Sequence, residues 1–260
     1  MPAELRYDWD PRPPKRGSPA LIFSGSLGTD LTMWQPQADV LKPHFCTLRY
    51  DLRGHGRSPV PPGPYSMDDL GSDLLALLDR LGIERASLCG LSIGGMIGMW
   101  VAAHAPERVD RLVLCSTSAQ LGPRESWLER AAIVRADGVQ AVTDAVLERW
   151  FSPGFTRAHP EVIERMRAQL VATPREGYAA CCEAIADMDL TPVLPSISAP
   201  TLVVSAAEDP STPPEHGRRI AELIPGARFE LIPDARHIAN IERADVVTGL
   251  IDAFLDDHQP

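Results

Sequence analysis

The first group to consider is a serine hydroxyl in Cys89-Gly90-Leu91-Ser92-Ile93-Gly94-Gly95, which follows an apolar run and opens a helical one. In a G-x-S-x-G turn between strand and helix, the serine occupies a strained position that lifts its Oγ above the sheet. Gly90 and Gly94 stand where side chains would collide with the tight strand–helix crossing. A helix starting there aims backbone N–H groups and the positive dipole end at developing negative charge. The chemistry such a group suits is attack on a carbonyl through a covalent acyl intermediate. A glycine-rich turn with an incidental serine is the plainer alternative, and the strand-to-helix context favours the nucleophile.

A serine needs a base, and the sequence holds seven histidines. His44 precedes a strand, at its wrong end for catalysis. His55 lies in Asp51-Leu52-Arg53-Gly54-His55-Gly56-Arg57-Ser58, a polar loop whose glycines suggest a structural turn. His104 closes the helix after Ser92, where a cation suits the C-terminal dipole. His159, His216 and His258 fall in a helical region, a helix start and the tail. His237 alone follows the last strand, in Ile232-Pro233-Asp234-Ala235-Arg236-His237, and sites of open α/β sheets form at strand carboxyl ends. The acid that orients the imidazole should sit at another such end. Ser116-Thr117-Ser118 offers no carboxylate, whereas Ser205-Ala206-Ala207-Glu208-Asp209-Pro210 offers two. Asp209 is preferred because Pro210-Ser211-Thr212-Pro213-Pro214 fixes a turn beyond it; Glu208 reads as a solvated rival. The order Ser92, Asp209, His237 is that of α/β-hydrolases, not of chymotrypsin or subtilisin. Two backbone N–H groups should form the oxyanion hole: Ile93, after the nucleophile, and Leu27 in Ser24-Gly25-Ser26-Leu27-Gly28-Thr29-Asp30.

The elements needed to hold these groups are legible as an alternation. Strands are expected at about Glu4–Trp9, then Ala20–Phe23, Phe45–Tyr50, Ala86–Cys89, Leu112–Cys115, Thr201–Val204 and Arg228–Ile232. Helices are expected at Met67–Leu81, Ile93–His104, Glu215–Leu223 and Val246–Asp256. This rhythm predicts the α/β class: an α/β-hydrolase fold with a mostly parallel central sheet flanked by helices. From about Ala119 to Leu190 only helical patterns appear, punctuated by Pro153-Gly154, Pro160 and Pro174. Residues 119–190 are therefore read as a helical cap inserted into a core made of residues 1–118 and 191–260. Residues 10–19, rich in Pro, Lys and Arg, read as a surface turn.

A chain of 260 residues, 44% hydrophobic, can bury one sizeable core. Its net charge of −10 argues against nucleic acid and anionic membrane as partners, since both need a basic surface. No apolar start or spanning segment is present, and the cysteines (46, 89, 115, 181 and 182) form neither a CxxC pair nor a zinc spacing. A reduced, cytoplasmic setting without metal or organic cofactor is expected; homo-oligomerisation is left open.

Over nearly its whole length the sequence resembles the 3-oxoadipate enol-lactonases of bacterial aromatic catabolism, the β-ketoadipate pathway. The resemblance is carried by Ser26-Leu27-Gly28-Thr29-Asp30 with Met33-Trp34, by Gly90–Met96, and by Ala105-Pro106-Glu107-Arg108-Val109. The cap adds Arg149-Trp150-Phe151, Gly177-Tyr178-Ala179-Ala180-Cys181-Cys182-Glu183 and Asp187-Met188-Asp189-Leu190. Many members carry His-Gly where Gly25-Ser26 stands here. The resemblance implies opening of a five-membered enol-lactone bearing an acetate arm, through an acyl-Ser92 intermediate. The acetate needs a cation, and the cap offers Arg124, Arg130, Arg135 and Arg149; Arg135 is preferred because it follows an apolar run. Trp34, Trp127, Trp150 and Tyr178 are candidate pocket walls, Trp34 and Trp150 foremost. Carboxylesterases, other lactone or C–C bond hydrolases, cofactor-free haloperoxidases and a non-catalytic hydrolase-fold receptor remain alternatives.

Overall fold

The computed structural model describes residues 1–11 and 19–256. Most of the expected 10–19 surface turn, and His258, lie outside those residues. Seven strands form one sheet: β1 (Tyr7–Asp10), β2 (Ala20–Ser24), β3 (Cys46–Tyr50), β4 (Ala86–Leu91), β5 (Val109–Cys115), β6 (Thr201–Ala206) and β7 (Arg228–Ile232). Their order is β1-β3-β2-β4-β5-β6-β7, with β1 antiparallel to β3 and every other pair parallel. Every residue of β4 and β6 is buried, which explains why these strands read as continuous small and apolar runs rather than alternating ones. At the edge, β7 exposes Arg228 and Glu230, charges that discourage further strand pairing.

Helices cover both faces. They are α1 (Gln35–Leu41) and α2 (Met67–Leu81), then α3 (Ile93–His104) directly after β4. Between β5 and β6 come α4 (Arg124–Asp137), α5 (Thr143–Trp150), α6 (Pro153–Ala158), α7 (Pro160–Ala172) and α8 (Arg175–Ala186). After β6 follow α9 (Pro214–Leu223), α10 (Ala239–Glu242) and α11 (Ala244–Asp256). The α2 boundaries show why the sequence marked them well. Ser66 and Asp69 form a reciprocal capping box, and Gly82 ends the helix in the left-handed region at φ 66°.

The α4–α8 excursion leaves and re-enters the core at one place. Gln120 bridges Asp189, and the Leu190 N–H donates to the Ala119 carbonyl at 2.8 Å. Because β2 to β7 run parallel, their carboxyl ends share one edge of the sheet. The loops after β2, β4, β6 and β7 therefore meet there, beneath the excursion.

Candidate active site

Ser92 sits between β4 and α3 with φ 58° and ψ −120°, a backbone conformation that L residues rarely adopt. Such strain persists only where its surroundings over-determine it. Here the Ser92 N–H donates to the Cys115 carbonyl at 3.0 Å, and its own carbonyl accepts from the Thr117 hydroxyl at 2.7 Å. A Cβ at Gly90 would fall 2.2 Å from the Gly94 carbonyl oxygen, and one at Gly94 would fall 2.3 Å from that of Ser24. Glycine at both positions is thus a steric requirement of the crossing.

His237 and Asp209 are 3% exposed each, and His237 Nδ1 lies 2.8 Å from Asp209 Oδ2. The other carboxylate oxygen accepts the N–H groups of Ser211 (2.8 Å) and Thr212 (3.1 Å), while the Thr212 hydroxyl donates to Oδ2 at 2.7 Å. Burial pushes the Asp209 carboxyl up, but the imidazole beside it and these hydrogen bonds outweigh burial and hold it below its ordinary value. A buried carboxylate with this many donors is a fixed negative charge facing Nδ1, which leaves Nε2 as the basic nitrogen. Glu208 is exposed on the adjacent position and takes no part. Sequence reasoning missed the support from Thr212; the Asp-Pro-Ser-Thr run, an Asx-turn composition, was its signal.

A cavity of about 250 Å³ opens over these groups, lined by Ser92, His237, Ser26, Leu27 and Thr212 from the core. From α4, α5 and α8 come Trp127, Arg130, Val146, Arg149, Trp150 and Tyr178. Leu27 lines it, and Ile93 opens α3 beside Ser92 with its N–H at the helix start. Among the described residues no acceptor takes either N–H.

Two expected substrate contacts, Trp34 as a pocket wall and Arg135 as the cation for the carboxylate arm, lie away from the cavity in the structure. Trp34 is wholly buried away from the cavity, stacked on Phe23 with ring centroids 5.1 Å apart and its Nε1–H donating to the Ser24 carbonyl at 3.0 Å. The 3-10 turn Leu31–Trp34, capped by Asp30, folds the indole back beneath β2. Arg135 points away from the cavity into ion pairs with Glu176 (3.0 Å) and Glu183, whose Oε2 is 2.9 Å from Nη2. These partners raise its already high pKa. The preceding apolar run is split between two sides: Ala131 and Val134 are buried, whereas Ile133 is 39% exposed. The inward face of α4 instead carries Trp127 and Arg130, three residues apart and therefore neighbours on one side. The Arg130 guanidinium lies 4.8 Å from the Trp127 ring centroid. Trp150, also expected, does line the cavity and is 4% exposed.

The other histidines have local duties. His44 is exposed near Asp252, His104 stacks on Trp100, and His216 meets the Ser118 hydroxyl at 2.8 Å. All five cysteines are buried, and among the described residues no three His, Cys, Asp or Glu side chains converge as metal ligands. No described helix is long and apolar enough to cross a membrane.

The family described by the alpha/beta hydrolase fold matches residues 19–244. The chain belongs to the α/β-hydrolase family. This hydrolase is 42% identical to 3-oxoadipate enol-lactonase 2 of Acinetobacter baylyi over 237 residues, 91% of this chain and 88% of that one. Among solved structures it matches the enol-lactonase from Burkholderia xenovorans LB400 with a TM-score of 0.94 and 45% identity, covering 97% of this chain and 96% of that one. A thermophilic esterase from Thermogutta terrifontis, solved with malate bound, matches with a TM-score of 0.91 and 33% identity over 98% and 94% of the two chains. The expected kinship with enol-lactonases therefore holds, and the protein is a hydrolase of the ester or lactone type.

Proposed function

We propose that this hydrolase opens a small enol-lactone carrying a carboxylate arm, of the 3-oxoadipate enol-lactone kind, through an acyl-Ser92 intermediate. The observation that carries the substrate class is the pair of arginines on the cavity. Among the described residues neither Arg130 nor Arg149 forms an ion pair, although the chain has 35 Asp and Glu against 25 Lys and Arg. In so acidic a protein, two cations left unpaired beside the nucleophile suit an anionic ligand. The relatives support the reading: one is named for 3-oxoadipate enol-lactone, and the esterase structure holds malate, a dicarboxylate.

In the reaction, Ser92 Oγ attacks the lactone carbonyl as its proton passes to His237 Nε2. The C–O bond to the enol oxygen breaks, and that oxygen takes the proton back from His237 before the enol becomes a ketone. The oxyanion of each tetrahedral intermediate accepts from the Leu27 and Ile93 N–H groups. His237 then deprotonates a water that releases the acyl group as a carboxylate. Asp209 keeps the imidazole oriented and stabilises its charged form throughout. Residues 119–190 act as a cap that supplies Arg130, Arg149 and the apolar walls.

Rapid quench after mixing with p-nitrophenyl acetate tests the nucleophile. One acetyl group per enzyme, mapped to Ser92, is expected together with a burst of p-nitrophenolate. Ser92→Ala should fold normally, show no adduct and lose at least about 10⁴-fold in turnover. An acetyl group mapped elsewhere, or rapid turnover by Ser92→Ala, would overturn the serine mechanism.

A further inference from the structure

The loop between β2 and α1 is held in an unusual way. Ser26, Leu27, Gly28 and Thr29 form a β-turn closed by the Thr29 N–H donating to the Ser26 carbonyl at 3.1 Å. Gly28 occupies its third position at φ 81°, as a type II turn requires. The N–H groups on either side of Leu27 are both captured by uncharged buried acceptors. Ser26 N–H points at Met33 Sδ, 3.1 Å away, and Gly28 N–H donates to His55 Nε2 at 2.9 Å. Between them the N–H of Leu27, a residue that lines the cavity, has no acceptor among the described residues.

The partners of His55 fix its tautomer. The Arg53 carbonyl, 3.2 Å from Nδ1, can only accept, so Nδ1 carries the proton; the Gly28 amide can only donate, so Nε2 presents its lone pair. The ring is wholly buried. Its own loop is anchored in turn by Arg53, which pairs with Asp73 at 2.6 Å, and by Asp51, which accepts from Leu31 N–H at 2.7 Å. A flip of the Leu27–Gly28 peptide would set the Leu27 carbonyl against the Nε2 lone pair, two acceptors facing each other. An acceptor at this point therefore selects the turn that is observed.

The geometry points to His55, assisted by Met33, as the positioning residue for the oxyanion hole: neither touches substrate, and together they fix the turn that presents the Leu27 N–H. This rests on the proposed acyl-Ser92 mechanism and adds to it what holds one of its donors in register. Misplacing a catalytic group by about 1 Å costs on the order of a hundredfold.

The test compares His55→Leu, His55→Gln and Met33→Leu with wild type, using three probes. These are p-nitrophenyl acetate turnover, binding of n-butylboronic acid and binding of adipate. The boronate forms a tetrahedral adduct on serine with an oxygen at the oxyanion position; adipate is a dicarboxylate that needs only the arginines. In His55→Leu, kcat/KM and boronate affinity should fall together by about tenfold to a hundredfold, with adipate affinity unchanged. His55→Gln, whose amide oxygen can accept, should recover part of the loss. Met33→Leu keeps the core volume and should lose several-fold by the same pattern, so a folding failure at residue 55 leaves the test intact. Folded variants with unchanged kcat/KM, or parallel losses of boronate and adipate affinity, would overturn the assignment. Wild type that binds no boronate would instead sink the serine mechanism itself.

Discussion

His55 shows how much one buried side chain sets. Burial lowers its pKa from 6.5 to about 4, against the hydrogen bond to the Arg53 carbonyl, so it is neutral at physiological pH. Between those two values the unfolded chain binds a proton at this position and the native chain does not. Native stability therefore rises with pH across that window: it is fully present above about 6.5 and is lost as pH falls toward about 4. The loss attributable to His55 is on the order of 3 kcal/mol. Urea unfolding at pH steps across the window should show wild type losing that much more stability than His55→Gln. Identical pH slopes would show that the ring is not held neutral. His55 was legible in the sequence only as part of a glycine-rich turn, because its partner Gly28 lies 27 residues away and no local pattern announces the contact. The convergence of Ser92, Asp209 and His237 on one cavity edge has the opposite origin, each being marked in the sequence by its own strand end. Arg135 follows an apolar run that is itself split between buried and exposed sides, so only the three- and four-residue spacing of α4 says which side Arg130 shares with Trp127.

The elements divide the work between a sheet edge and the helices above it. At one seam they are tied together: Glu242 on α10 accepts the Ser152 N–H after α5 (3.0 Å) and the Arg236 N–H beside His237 (2.9 Å). Ile238 N–H adds a bond to the Trp150 carbonyl at 3.1 Å. The loop bearing His237 and the end of α5 are thus held as one unit. Glu242→Ala leaves two backbone donors without their acceptor and should destabilise the fold by about 2 kcal/mol or more. Chemical unfolding measures this, and an unchanged midpoint would contradict the coupling. The arginines of α4 and α5 that line the cavity carry a kinetic prediction. Arg130→Gln should raise KM for the anionic lactone about tenfold to a hundredfold, the worth of a charge-assisted hydrogen bond, while leaving p-nitrophenyl acetate turnover near wild type. Equal losses on both substrates would assign Arg130 to cap packing. Most strands and the flanking helices were readable from apolar runs and caps. The small helix α10 and the 3-10 turn holding Trp34 were not, since both are set by tertiary contacts rather than by their own composition.

At the scale of the molecule, a chain of net charge −10 surrounds a cavity lined by two guanidinium groups that, among the described residues, have no carboxylate partner. Low-dielectric walls focus such a local field, so an anion is drawn toward these guanidinium groups. The parallel sheet brings four separate loops to the same edge, and the α4–α8 excursion closes over them. The class of fold followed from the strand–helix rhythm, and the excursion from the absence of strand patterns between β5 and β6. The shape of the cavity could not be read, because it depends on which faces of α4, α5 and α8 turn inward. The most direct measurement follows the loss of 3-oxoadipate enol-lactone absorbance with purified wild-type protein, beside p-nitrophenyl acetate at the same enzyme concentration. The expected result is a kcat/KM on the lactone of about 10⁴–10⁸ M⁻¹s⁻¹, with much poorer turnover of the ester. Brisk ester hydrolysis with no lactone opening would contradict the proposed substrate while leaving the serine chemistry standing.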